Sequence, residues 1–239
     1  MSNAWFYMPQ LPAIGETAEL DPAEARHAQA ARRLKAGDAV MLFNGRGDIG
    51  EAVINDVARQ GRLVRVEVCA TATQPPLSPA IHLAAALPKG DRQATLLSMA
   101  TQLGMAGFTP LQCERSVASG EGSGFHERSL RVCIEACKQS RRAHLPDIHE
   151  AMTPAQAASH AKKLGVVALV AHPGGQSPAH AAPVGTPLLL LIGPEGGWTD
   201  SETAAMAANG AKTVTLGDGI LRIETAAIAM LAWARLRSV

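Results

Sequence analysis

The stretch PLLLLIGPEGG, residues 187–197, constrains this chain more than any other. Leu188 to Ile192 are apolar without alternation and run directly into Gly193-Pro194-Glu195-Gly196-Gly197. A strand with one solvated face alternates apolar and polar side chains. A strand without alternation is covered on both faces, as in the parallel sheets of α/β domains. Thr199, Asp200 and Glu202 follow at once, so a glycine-rich turn leads from this strand into a helix start. Ligands of such sheets bind just outside the carboxyl ends of the strands, where glycine lets them approach the backbone.

After residue 80 the chain keeps this rhythm. IHLAAAL (81–87), FTPLQC (108–113), VVALVAHP (166–173) and KTVTLG (212–217) read as further strands. GDRQATLLSMATQLG (90–104), FHERSLRVCIEACKQSRR (125–142), TPAQAASHAKKLG (153–165), TDSETAAMAANG (199–210) and ETAAIAMLAWARLR (224–237) read as helices. The alternation predicts an α/β fold with a mostly parallel sheet and helices on both faces.

Residues 1–72 read differently. One helix begins at DPAEAR, with Asp21 as N-cap, Pro22 at the first helical position and Glu24 in the first turn, and it ends by Gly37-Asp38. AVMLFN, GEAVINDV and RLVRVEV then form short strands between turns at Asn44-Gly45 and Gln60-Gly61. This pattern predicts a small β-barrel. TATQPPLSPA, residues 71–80, carries three prolines and no apolar period, which marks a linker. The expected division is a barrel domain over 1–72, a linker over 73–80 and an α/β domain over 81–239.

Charge and cysteines exclude several classes. A formal net charge of +1 gives no global field for nucleic acid, so any such binding rests on local basic patches. No apolar run is long enough to span a membrane, and the first residues lack the features of a signal peptide, so a cytoplasmic location is expected. Cys133 and Cys137 lie four apart on one helix face, where a bridge is badly placed, and no further ligands stand at zinc spacing. Reduced, buried thiols and no metal are the expectation.

Three loops after strands share one character: VAHPGG (170–175), LIGPEGG (191–197) and LGDGILRIETA (216–226). Neither G-x-x-x-x-G-K-[ST] nor G-x-G-x-x-G is present, and the loops carry few cations, which argues against a polyphosphate guest and a nucleotide hydrolase or dehydrogenase. IGPEGGWTDSE followed by LGDGILRIETAAIAML resembles the SPOUT superfamily of knotted methyltransferases. Within it the chain is most similar to the family that methylates N3 of uridine 1498 in 16S rRNA. HAQAARRLKAGD and LFNGRG look like that family's PUA-like RNA-binding barrel. AAALPKGDR, QLGMAGFTPLQCERSV, ACKQSRRAHLP and AHPGG look like its middle segments and first cofactor loop.

The resemblance implies a trefoil-knotted domain, S-adenosylmethionine as cofactor, 16S rRNA of the small ribosomal subunit as substrate, and a homodimer. Carried over by residue, the cofactor contacts are His172, Ile192, Gly193, Glu195, Gly196, Leu216, Gly217, Ile220 and Leu221. Arg222, Glu224 and Glu195 are the catalytic candidates. Arg33, Lys89, Arg92, Arg115 and Arg142 are the RNA-binding candidates, and Arg26, Arg32, Lys35, Lys138 and Arg141 add charge nearby. The chain departs from the family's common pattern at several positions. Trp5 and Gly219 stand where arginines are usual, Met99 and Gln102 replace Lys and Glu, Lys138 replaces an acid, and Arg141 replaces a glycine.

Chemistry fits these roles. Uracil N3 holds its proton at neutral pH and is a poor nucleophile until that proton leaves. An arginine beside the base can stabilise charge spreading onto O2 and O4, and a carboxylate or an RNA phosphate can accept the proton. Each residue also has a structural reading. Glu195 can cap loop amides, Glu224 can complement a helix dipole, and Arg222 can form a surface salt bridge. A catalytically inactive RNA-binding or ribosome-assembly factor on the same fold is the alternative function.

Overall fold

The computed structural model describes residues 4–30, 34–58, 63–116 and 124–237, without the side chains of residues 29 and 30. Arg32, Arg33 and the Gln60-Gly61 turn lie outside the described residues. The chain divides into two units. The first comprises Met1–Pro76 with Ile134–Leu145, and the second Leu77–Cys133 with Pro146–Val239. A continuous first domain over 1–72 does not include 134–145, whose side chains pack onto distant strands of the same unit.

The first unit holds β1 (Ala4–Tyr7), β2 (Thr17–Glu19), α1 (Pro22–Ala30), β3 (Ala39–Phe43), β4 (Asp48–Ala58) and β5 (Leu63–Thr73). They form a five-stranded sheet in the order β1-β3-β4-β5-β2. Only the β1–β3 pair is parallel. β4 and β5 alternate as strands with one buried face do: Ala52, Ile54, Val64, Val66 and Val68 are buried while Glu51, Asn55 and Arg65 are exposed. At the head of α1, Asp21 Oδ1 accepts from the Ala23 amide at 2.8 Å, as its sequence position predicts.

Lys138 belongs to this unit through α3 (Phe125–Ser140). Its Nζ lies 2.9 Å from Glu24 Oε2 and 2.8 Å from Glu135 Oε1, with 6% of the lysine side chain and 10% of Glu24 accessible. Burial pushes the Glu24 carboxyl up, and Lys138 pulls it back down. The acid that the resemblance leads one to expect at position 138 would face Glu24 as a like charge. A cation there instead neutralises it. Arg141 sits just past α3 with φ 56°, a left-handed conformation that glycine, the residue expected there from the resemblance, adopts freely and arginine does not.

The second unit holds β6 (Ile81–Ala85), α2 (Arg92–Gln102), β7 (Gly107–Pro110), β8 (Asp147–Ile148), α4 (Pro154–Lys163), β9 (Val167–Gln176), β10 (Leu188–Ile192), α5 (Asp200–Ala208), β11 (Lys212–Val214) and α6 (Ile223–Leu236). The sheet runs β11-β9-β10-β6-β7-β8, with every pair parallel. β10 lies inside it, buried along its whole length. The strand expected over 108–113 ends at Pro110, and the one expected over 166–173 continues to Gln176. Capping boxes start α4 (Thr153 with Gln156) and α5 (Thr199 with Glu202).

β9 and β11 pair with a shift that shapes the site. Thr213 pairs with Val170, but the next residue, Val214, pairs with Gln176, so residues 171–175 form an outward excursion of β9. At Gly175 an added Cβ would lie 2.4 Å from the Val214 carbonyl carbon. Only glycine fits.

Lys138→Met leaves Glu24 buried without its cation and is expected to destabilise the first unit by about 3 kcal/mol. Amide exchange of β4 and β5 under mild denaturant measures this, and Glu24→Leu in the same chain should restore most of the loss.

Candidate functional site

Three chain segments meet at the carboxyl ends of β9, β10 and β11. They enclose a cavity of about 300 Å³, lined by Ala171, His172 and Pro173 from the first segment and Ile192 to Glu195, Gly197 and Trp198 from the second. Thr215 to Gly217, Gly219 to Leu221, Ile223 and Ala226 line it from the third. Of the expected cofactor contacts, His172, Ile192, Gly193, Glu195, Leu216, Gly217, Ile220 and Leu221 all line this cavity. Gly196 does not, because its Cα faces the Arg115 side chain, whose Cβ would lie 3.2 Å from an added methyl.

Each segment is held by its own polar contacts. In the first, the Gly174 amide donates to His172 Nδ1 at 3.0 Å, which makes that nitrogen an acceptor and fixes the ring across the turn. In the third, Thr215 Oγ1 donates to the Gly217 carbonyl at 2.9 Å and accepts from the Gly217 amide. Gly217 takes φ 120°, open to glycine and strained for other residues. An added Cβ at Gly219 meets nothing within 4 Å, so the missing side chain there leaves this wall of the cavity open.

The second segment is organised by Trp198. Its indole lies against Gly193, where an added Cβ would be 2.7 Å from the ring, and its Nε1 donates to the Ala171 carbonyl at 3.0 Å. One aromatic side chain therefore ties the second segment to the first while forming part of the wall. Gly193 is required by this packing as well as by the cavity beside it. Arg115 donates through Nη1 to the carbonyls of Gly196 and Trp198 at 2.9 and 3.4 Å. Glu202 completes the frame: its Oε2 accepts from the Thr199 amide at 2.9 Å, and its Oε1 from the Glu114 amide at 3.0 Å. One buried carboxylate thus caps α5 and holds the segment after β7.

Arg222 is the N-cap residue of α6 and is exposed between the lining residues Leu221 and Ile223. Among the described residues its guanidinium has no hydrogen-bond or ion-pair partner, so the salt bridge weighed as its alternative is not formed. Glu195 and Glu224 both turn to Arg92, with Nη2 3.2 Å from Glu195 Oε1 and Nη1 3.8 Å from Glu224 Oε2. Glu195 lines the cavity, while Glu224 stands behind its wall in the first turn of α6.

The RNA-binding candidates separate by environment. Lys89 is exposed on the loop before α2. Arg92 and Arg115 have partners within their own unit, as above. Arg142 belongs to the first unit and is half-buried, and that burial lowers its guanidinium pKa. Arg33 lies outside the described residues. Burial pushes the thiols of Cys113 and Cys133 up to about 12 and about 11, which leaves them inert. Among the described residues no group of three or more His, Cys, Asp or Glu could hold a metal ion, and no helix is long and apolar enough to cross a membrane.

Thr215, Ala171 and the packing role of Trp198 were not anticipated. The tryptophan was legible as part of IGPEGGW, but its partner Ala171 is 27 residues away, and no local pattern encodes that pairing.

Residues 75–235 match the family described as RNA methyltransferase domain, and residues 20–67 the RNA methyltransferase PUA domain. Ribosomal RNA small subunit methyltransferase E from Mycobacterium bovis is 32% identical, with 95% of this chain and 88% of that protein aligned. A Legionella pneumophila protein described as a methyltransferase, solved with bound cofactor SAM, superposes with a TM-score of 0.91 at 29% identity, over 99% of this chain and 98% of that one. Ribosomal RNA small subunit methyltransferase E from Neisseria gonorrhoeae, bound to S-adenosyl methionine, superposes with a TM-score of 0.88 at 26% identity, over 98% of each chain.

Gly193→Ala is expected to push the indole from its seat and destabilise the second unit by about 1–3 kcal/mol, the usual cost of overpacking. The test is the Trp198 indole N–H in an NMR exchange experiment. Its protection should fall sharply, and unchanged protection would mean that the ring can shift without cost.

Proposed function

The chain belongs to the RNA methyltransferase family that includes ribosomal RNA small subunit methyltransferase E, and from that premise we propose that it methylates N3 of a uridine in 16S rRNA, at the position equivalent to uridine 1498, using S-adenosylmethionine. The observation that carries this reading is the convergence of three strand-end segments on one cavity, with Arg222, which has no partner among the described residues, at its rim.

The residues present fit the cofactor. A cavity of about 300 Å³ falls at the lower end of the range for small-molecule sites. Ile192, Leu216, Ile220 and Leu221 offer apolar surface to an adenine, and the loop amides offer donors to its polar edge. Few cations face the cavity, which suits a cofactor without phosphates. When bound, the cofactor supplies a methyl group carried on a positively charged sulfur.

The chain's own residues supply the rest. Arg222 stabilises the negative charge that spreads onto the uracil oxygens as N3 loses its proton, and it acts most strongly where water is excluded. Glu195, the carboxylate that lines the cavity, is the candidate acceptor for that proton. Glu224 behind the wall and an RNA phosphate are the other two candidates.

The finer architecture belongs to the same reading. The first unit, residues 1–76 with 134–145, acts as a PUA-like barrel that binds RNA, and the second unit forms the catalytic domain, with a trefoil knot around the cofactor. Lys89, Arg142 and Arg33 are proposed to meet RNA phosphates. The protein works as a homodimer. Support for this is the exposure of Met99 on α2 and Leu236 on α6, apolar side chains on two helices that pack together.

Calorimetry in the presence of chelator is expected to detect S-adenosylmethionine binding, and loss of binding on chelation would contradict a metal-free site. Arg222→Ala should slow single-turnover methyl transfer to small-subunit RNA by roughly a hundredfold, the scale of losing one donor to developing charge, while cofactor affinity changes little. Equal rates for the variant and the wild type would remove Arg222 from the mechanism.

A further inference from the structure

Arg92 opens α2, and its place there is electrostatically costly. A cation at the first position of a helix opposes the macrodipole, and the one acid at this helix start, the N-cap Asp91, makes no side-chain capping hydrogen bond. The ion-pair partners of Arg92 come from other elements: Nη2 meets Glu195 Oε1 at 3.2 Å, and Nη1 approaches Glu224 Oε2 at 3.8 Å. The two carboxylates differ. Glu224 is 15% exposed and Glu195 46%, and Glu224 Oε2 is shut off from solvent without a hydrogen bond. Glu224 is therefore the fixed end, anchored in α6, and Glu195 is the end carried on the glycine-rich second segment.

We propose that Arg92 is a positioning residue that clips the second cavity segment to the start of α6 and so holds the cofactor cavity closed on one side; this rests on the reading of that cavity as a cofactor site. The planar guanidinium presents separate nitrogens to two carboxylates at once, which a lysine ammonium cannot do in the same geometry. The sequence pointed instead to an RNA phosphate as the partner of Arg92. With Glu195 and Glu224 both beside it, the group of three carries a formal charge of −1, which makes it a poor phosphate site and a good internal clip.

The test measures amide exchange over residues 193–198 and 222–226, together with calorimetric affinity for S-adenosylmethionine. The proteins compared are wild type, Arg92→Ala, Arg92→Lys, Glu195→Gln/Glu224→Gln and the triple variant. Arg92→Ala should speed exchange in both segments and weaken cofactor binding about fivefold, the scale of a partly exposed ion pair. Arg92→Lys should recover only part of this, and Arg92→Ala should add nothing in the double-glutamine background. Unchanged exchange in Arg92→Ala, or an effect of full size in the double-glutamine background, would overturn the clip. A wild type without affinity for S-adenosylmethionine would sink the cofactor reading, and the exchange measurements would still decide the clip.

Discussion

At Gly175 the backbone of β9 runs so close to Val214 that an added Cβ would lie 2.4 Å from a backbone carbon. Much of the second unit's function follows from that contact. Because β9 rejoins β11 at Gln176 after leaving it at Val170, residues 171–175 must bow outward, and this excursion brings His172 to the cavity and the Ala171 carbonyl to Trp198. A side chain at 175 would part the strands and remove the first wall. The demand comes from steric exclusion between backbones, which no compensating side-chain change can relax.

The second wall depends on a different logic. Its glycines leave the backbone free to turn, and side chains from elsewhere decide which turn is taken. Trp198 fills the space beside Gly193, Arg115 gathers two carbonyls, and Glu202 joins the capping of α5 to the Glu114 amide. These contacts pre-organise the cavity before any ligand arrives, which lowers the ordering cost of binding. An all-parallel sheet adds direction, since its strand ends with their turns into helices all face the same way.

What was legible in the sequence was local. The unalternating Leu188–Ile192 run announced a strand buried on both faces, Asp21-Pro22 announced the head of α1, and the three glycine-bearing strand ends announced one site. Eight of the nine expected cofactor contacts line the cavity. What escaped was set by long-range partners. Gly196 carries the same local signature as Gly193, yet its neighbour is Arg115. Lys138 read as one of the charges beside the RNA-binding candidates, but it meets Glu24, 114 positions away. The segment 134–145 belongs to the first unit because Ile134, Cys137 and Leu145 pack around Phe43, a contact that periodicity cannot encode.

Whether this chain places a methyl group on uracil N3 of small-subunit ribosomal RNA is decided by the position of the mark. Small ribosomal subunits from a strain lacking the gene are incubated with the purified protein and S-adenosylmethionine, and the RNA is digested and mapped by mass spectrometry. One new methyl group is expected, on N3 of the uridine equivalent to 1498. A methyl group on a ribose oxygen or on another base would contradict it, as would no transfer to small subunits or their RNA.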